Sequence, residues 1–443
     1  MQQTETVKKY DTYKDSGIEW IGEIPQEWNT ITLKRVFSNR DGGAWGGEPQ
    51  NNENDRICIR IADFDYPKMT VKHDIDFTVR NYTTDVIEKL TLQKNDILIE
   101  KSGGGDQTPV GRTIIFNEDF NALYANFMDR LRVKQSISPK FIQYLLVSFY
   151  QNGITYQYIK QTTGIQNLDL TNLLAKESIV LPTLNVQQRI ADYLDKKCGE
   201  IDRVVETEKA VIEKLKEYKQ SIITEAVTKG LDKSAHLKDS GIEWIGKIPQ
   251  HWEVRKLKTI CKPKGIKNKP NETVLSLYRD LGIVIKSSRD DNFNVTSEDT
   301  TNYKFVEVND LVVNKMKAWQ GSIAISNFQG IVSPAYYVNE ITYKNIYPFY
   351  LHYLLRNHSY LPEYRRLSEG IRPGQWDLSY EAFRNIPIVI PNYNEQQQIA
   401  DYLDKKCSEI DKAIADKEQV IEKFTEYKKS LIYECVTGKR KVV

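Results

Sequence analysis

At 443 residues the chain exceeds one ordinary hydrophobic core, so two or more domains are expected. A hydrophobic fraction of 40% and a charged fraction of 28% describe a globular protein, and no apolar run approaches the ~20 residues that span a bilayer. With a formal net charge of +2, bulk charge points to no nucleic-acid partner; any basic surface has to be local.

The first residues, MQQTETVKKYDTYKDSG, are polar and lack an apolar signal core, which predicts a cytoplasmic protein with no membrane contact. The five cysteines (Cys58, Cys198, Cys261, Cys407, Cys435) show no CxxC or CxxH spacing and fit reduced thiols in that compartment. A distinctive opening, KDSGIEWIGEIPQEWNTITLK, starts at Lys14. Behind it, from Arg35 to Val180, short strand-like runs (Arg56–Ile61, Asp96–Ile99, Arg112–Phe116) precede an aromatic helical stretch at Pro139–Tyr150. From Leu181 the sequence LPTLNVQQRIADYLDKKC enters one long helix, in which Leu194, Ile201, Val204, Val211, Leu215, Tyr218 and Ile222 fall three or four residues apart, or a turn further on. That stripe with charged flanks is a coiled-coil seam pattern.

The chain then starts again. KDSGIEWIGKIPQHWEVRKLK begins at Lys238, a shift of 238 − 14 = 224, so Trp20, Pro25 and Trp28 return as Trp244, Pro249 and Trp252. A second insert, Thr259 to Val389, offers strands at Asp310–Val313 and Ser322–Ile325 and a helix at Pro348–Asn357. The second long helix carries Leu403, Ile410, Ala413, Val420, Phe424, Tyr427 and Leu431; Ala191 recurs as Ala400 and Cys198 as Cys407, a shift of 400 − 191 = 209. Pro182 and Pro391 end the extended lead-ins without breaking helical hydrogen bonds. The boundaries drawn are 1–185 and 231–394 for two mixed domains, and 186–230 and 395–438 for the helices. The near-identity of the helices favours packing on each other. Duplicated flanks provide two equivalent positions, while the inserts between them share little residue identity and so contact different things. The pattern is a ruler with two readers.

Catalytic signatures are missing from the sequence. Ser102-Gly103-Gly104-Gly105-Asp106 is glycine-rich, but no Gly-Lys-Ser/Thr follows, and no GxGxxG opens a helix. Asp96 followed by Glu100 and Lys101 has nuclease-like residue types, yet strand alternation sends the adjacent acid and lysine to opposite faces. The histidines (His73, His236, His251, His352, His358) lack metal-ligand spacing and are taken as isolated surface residues.

Recognition chemistry remains. In the first insert, Lys101, Ser102, Gly103 and Gln107 lie in a loop expected to be flexible, Arg112 follows, and Gln161, Thr162, Thr163 and Gln166 form a run of donors and acceptors. In the second, Lys315, Lys317, Trp319 and Gln320 form one loop, and Arg372, Gln375 and Trp376 the other. Amides pair with adenine edges, arginine and lysine with guanine, and basic residues among aromatics suit phosphate positioning beside base reading.

The paired GIEWIG-x-IPQ-x-W openings, the paired leads into QQ-x-IADYLDKKC, and the NKMKAWQGSIAIS and GIVSPAYYV segments resemble the specificity subunit of type I restriction–modification systems over nearly the whole chain. The resemblance implies an α+β architecture: two mixed α/β target-recognition domains separated by two long helices in an antiparallel coiled coil, related by a pseudo-two-fold internal repeat. It implies a non-catalytic subunit that reads a bipartite, asymmetric double-stranded DNA site and docks two methyltransferase subunits and, through them, restriction and translocase subunits. This chain then binds no cofactor; S-adenosylmethionine, ATP and Mg serve its partners. The competing reading is a coiled-coil protein scaffold without DNA specificity. A helix of about 40 residues extends ~60 Å, against ~34 Å between readers one DNA turn apart. Glu208 and Lys417 align between the repeats on the apolar seam and are expected to fix its register.

Overall fold

The computed structural model describes residues 8–161, 164–289, 291, 296–370 and 376–442. The chain divides into two compact units: the part up to Lys209 together with Glu418 onward, and Ala210–Lys417. Each unit therefore holds one insert, part of the first long helix and part of the second.

The first unit is built on a four-stranded antiparallel sheet in the order Thr113–Phe116, Asp96–Glu100, Met128–Val133, Phe37–Gly42. Its strand Asp96–Glu100 is buried on both faces because the side-chain period of two divides it between two cores. Ile97 and Ile99 join Phe141, Ile142 and Leu145 of the helix Pro139–Gln151, whereas Leu98 joins Cys58, Ile59, Leu123 and Tyr124. The second unit repeats the plan with Ile323–Ile325, Leu311–Asn314, Tyr336–Ile341 and Cys261–Pro263. Leu311 and Val313 face one core there, and Val312 the other. The shared Asn-Asp pair before each central strand has a local cause. Asn95 and Asn309 both adopt φ 73°, which asparagine tolerates, and the next aspartate caps the turn: Asp96 accepts from the Gln93 amide and Asp310 from the Glu307 amide, both at 2.8 Å.

The duplicated openings are tied to the lead-in strands. Asn29–Thr32 pairs with Ser178–Leu181, and Glu253–Lys256 with Pro387–Ile390. The long helices follow as Leu184–Lys229, 46 residues, and Tyr393–Val436, 44 residues. Each is latched to its reader by the same two contacts. Buried Gln187 accepts from the Ser138 amide (2.9 Å) and donates to Pro182 O (2.7 Å); buried Gln396 accepts from the Tyr347 amide (2.7 Å) and donates to Pro391 O (2.9 Å). Tyr144 Oη donates to Asp195 (2.9 Å), and Tyr353 Oη to Asp404 (2.6 Å).

The seam lies one position from the expected stripe over much of its length. An unbroken heptad of buried or half-buried side chains runs Leu194, Cys198, Ile201, Val205, Glu208, Ile212, Leu215, Lys219, Ile222, Ala226. The second helix answers with Leu403, Cys407, Ile410, Ile414, Lys417, Ile421, Phe424, Lys428, Leu431, Cys435. Val204, Tyr218 and Tyr427, expected on the seam, are 38%, 54% and 44% exposed. Neighbouring apolar pairs such as Val204-Val205 leave the choice open in sequence. Two lysines also occupy seam positions, with their stems on the seam and their ammonium groups reaching a carboxylate of the other helix. In the first unit Lys428 Nζ contacts Asp202 Oδ1 and Oδ2 at 2.7 and 2.8 Å; in the second, Lys219 Nζ contacts Asp411 at 2.6 and 2.7 Å. With Gly230 beside Glu395 in the second unit and Cys198 near Cys435 in the first, these pairs run the helices antiparallel. Glu208 stands in the first unit and Lys417 in the second.

All five cysteines are free and buried, and burial pushes the thiols of Cys198, Cys261 and Cys435 up to about 12. His352 is not a surface residue: it is half-buried, its Nδ1 accepts from the Ile325 amide at 3.3 Å, and burial lowers it to about 3. Among the described residues no helix is long and apolar enough to cross a membrane.

Candidate nucleic-acid interface

Each insert presents two loops, and an equivalent backbone hydrogen bond links them in both units. The Leu168 amide donates to Lys101 O at 2.8 Å, and the Leu378 amide to Lys315 O at 3.0 Å. The first loop of each pair leaves the central strand of the main sheet; the second is the hairpin of Ile159–Gln161 with Gln166–Leu168, or of Ser368–Glu369 with Asp377–Leu378. The loops that residue types had singled out are therefore brought together in both units.

In the first unit the glycine-rich segment is a formed hairpin rather than a flexible loop. Ser102–Gly103 pairs with Gln166–Asn167, and Gly105 bridges Thr108. Gly104 has φ 67°, and a Cβ there would stand 2.9 Å from the Val110 amide nitrogen, so only glycine allows this approach. Ser102 Oγ donates to Asn167 Oδ1 at 2.5 Å. Gln107 and Gln161 are exposed and free to meet a ligand's edge. Gln166 is not: it is buried, and its Oε1 accepts from the Val110 amide at 3.2 Å, because hairpin alternation turns it inward. Arg112 is also engaged, with Nε and Nη2 donating to Glu100 at 3.0 and 2.8 Å and its guanidinium 3.7 Å from the Tyr66 ring centroid. Lys101 turns to the other face and meets Asp129 at 2.7 Å, which Arg40 also holds at 2.7 Å. Asp96 is bound by Arg132 through two 2.7 Å bonds. These acids are neutralised by cations instead of facing a common point. Among the described residues no group of three or more His, Cys, Asp or Glu is placed to hold a metal ion.

In the second unit the loop after Leu311–Asn314 closes in a 3-10 turn, Ala318–Gln320, ended by Gly321 at φ 89°. Lys315 Nζ reaches Asp377 at 2.8 Å, and that carboxylate holds the lysine above its ordinary pKa. Lys317 and Gln320 are exposed. Half-buried Trp319 and Trp376 stand with centroids 5.2 Å apart at 57°, and Trp319 Nε1 donates to Met316 O at 3.2 Å. Arg365, not singled out from sequence, lies over both rings at 5.8 and 5.9 Å. Its neighbour Arg366 is paired three residues back with Glu363, but Glu369 stands four residues after Arg365, so spacing alone does not single out Arg365. Thr162, Thr163, Arg372 and Gln375 lie outside the described residues.

The sequence profile of the type I restriction modification DNA specificity domain matches residues 25–217 and 249–423, one match per half. The chain belongs to this family. It is a specificity subunit of a type I restriction–modification system, whose part is DNA recognition and not catalysis. A Methanocaldococcus jannaschii protein assigned as the MjaX specificity subunit of a type I restriction enzyme is 26% identical over 441 residues, covering 95% of this chain and 96% of that one. The type I restriction enzyme EcoKI specificity subunit of Escherichia coli K12 is 23% identical over 408 residues, covering 85% and 82%. A chain solved in work on complex assembly and conformational transition of the type I R-M system shares the fold, with a TM-score of 0.68 at 13% identity over 93% of this specificity subunit and 98% of that chain.

Proposed function

We propose that each unit of this specificity subunit reads one half of a bipartite, asymmetric DNA site in the cytoplasm, and that the long helices carry two methyltransferase subunits, through which restriction and translocase subunits join. S-adenosylmethionine, ATP and Mg then act on those partners, and this chain binds none of them. The observation that carries the reading is the repeated link, Leu168 to Lys101 and Leu378 to Lys315, which holds two chemically different loop pairs on one frame. Gln107, Gln161, Lys317 and Gln320, exposed on those loops, are the base or phosphate contacts; Lys101, Ser102, Gly103 and Lys315 shape the loops. The outward tyrosines support twin docking faces. Tyr218 and Tyr427 recur at the 209-residue shift, flanked in both copies by exposed Glu213 and Glu217, or Glu422 and Glu426. Two copies of one partner would find the same exposed phenol in both units.

Co-expression with a type I methyltransferase subunit, native mass measurement and methylome sequencing test the reading together. One chain with two methyltransferases and adenine methylation at a single split motif is the expected result. A complex without any split motif would leave the protein-scaffold reading standing.

A further inference from the structure

We propose that Arg365 is a DNA-backbone contact of the second unit, a phosphate clamp seated on the Trp319–Trp376 pair that anchors the reader without choosing bases. This rests on the DNA-reading assignment above and adds to it a residue and a role. The guanidinium carbon lies 5.8 and 5.9 Å from the two indole centroids. A planar cation over aromatic faces is held by the ring quadrupoles while its N–H edges stay free. Among the described residues no carboxylate lies within ion-pair distance of Arg365, although Arg366 beside it is paired with Glu363. The side chain is exposed, so the platform orders it without removing it from solvent.

The platform itself is firmly placed. Trp319 belongs to the turn that follows the central strand, and Gly321 at the end of that turn packs so closely that a Cβ would stand 2.8 Å from Leu361, at the start of the helix carrying Arg365. Trp376 precedes Asp377, which is bound to Lys315. Arg365 thus lies over the aromatic pair, and the turn that carries Trp319 also carries exposed Lys317 and Gln320. An arginine ordered before binding loses less rotamer freedom when it meets a phosphate. Bases are discriminated by bidentate edge contacts, and a guanidinium committed to two ring faces is less able to enter a groove than the loop residues in front of it.

The test uses the assembled complex of this chain with its methyltransferase subunits. Affinity is measured as a function of salt for cognate and non-cognate duplexes, with wild type, Arg365→Ala and Arg365→Lys. The expected result for Arg365→Ala is a similar fold loss on both duplexes, a salt-dependence slope smaller by about one, and an unchanged methylated motif; Arg365→Lys keeps the slope and recovers part of the affinity. A relaxed or altered second half-motif would make Arg365 a base reader and overturn the proposal. So would an unchanged slope, even with a lowered melting temperature, since that marks a purely structural arginine. A wild-type complex with no sequence preference at all would sink the underlying DNA-reading assignment instead.

Discussion

In the first unit the loop leaving the central strand is a glycine hairpin, stitched by Ser102 to Asn167 and built around the close approach at Gly104. In the second the same position holds a tight turn bearing Trp319, packed against Trp376 and topped by Arg365. Beneath these surfaces the two units share three matched contacts: Gln187 with Gln396, Tyr144 with Tyr353, Asp202–Lys428 with Asp411–Lys219. The lesson is a division of labour. Backbone links and buried amides define where each loop pair sits, and the surfaces carried on that shared frame differ in chemistry between the two units.

The largest effect that would break the comparison is exchange of a whole reader. Replacing residues 259–389 with the insert of another specificity subunit is expected to change one half of the methylated motif completely and leave the other intact; methylome sequencing decides. A change in both halves would mean that the inserts are not independent.

Removing the buried latch comes next. Gln187→Leu strands a backbone amide and one carbonyl, and Gln396→Leu an amide and two carbonyls, because Gln396 also donates to Asn345 O at 2.9 Å, at about 1–3 kcal/mol per buried group. Drops in melting temperature, read by calorimetry, are expected for both variants, the larger for Gln396→Leu; the reverse order would show that the frames are alike in geometry only.

The lysines on the seam should differ. Asp202 and Lys428 side chains are 23% and 14% exposed, whereas Asp411 and Lys219 are 57% and 25% exposed. Lys428→Met is therefore expected to destabilise by roughly 1–3 kcal/mol, and Lys219→Met by less than about 1 kcal/mol, because the more exposed pair is screened by solvent. Chemical denaturation of both variants ranks them directly.

A smaller effect separates the units by pH. At one equivalent position the first unit has Gln143, which donates to Thr113 O at 3.0 Å, and the second has His352, which accepts from the Ile325 amide. His352 is lowered to about 3 by burial, below its unfolded value near 6.5. Its contribution is thus present above pH ~6.5 and is lost as pH falls towards the folded value, with a slope of at most about 1.4 kcal/mol per pH unit. Melting curves between pH 7 and 4 should show this for wild type and a shallower fall for His352→Gln.

Much of the architecture was legible in the sequence because its determinants are local or repeated. The aromatic helical stretches from Pro139 and Pro348, the duplicated openings at Lys14 and Lys238, and the periodicity from Leu194 and Leu403 gave element types and the twofold plan without any knowledge of packing. The site residues were less legible. Lys317, Gln320, Gln107 and Gln161 are exposed as residue type suggests, but hairpin alternation took Gln166 into the interior, and Glu100 engaged Arg112.

What tertiary structure alone decided were choices between near-equal local options. Val204 and Val205 are alike in residue type; in the folded chain the seam half-buries Val205, carries Lys219 to Asp411 and Lys428 to Asp202, and turns Tyr218 and Tyr427 outward. Arg365 is one of two adjacent arginines in sequence, and it acquires a platform only because Trp319 and Trp376 converge from two other segments. Periodicity and turn chemistry act over a few residues and are written in order along the chain. Ion pairs and aromatic platforms join residues far apart in sequence, and their identity exists only once the chain has folded.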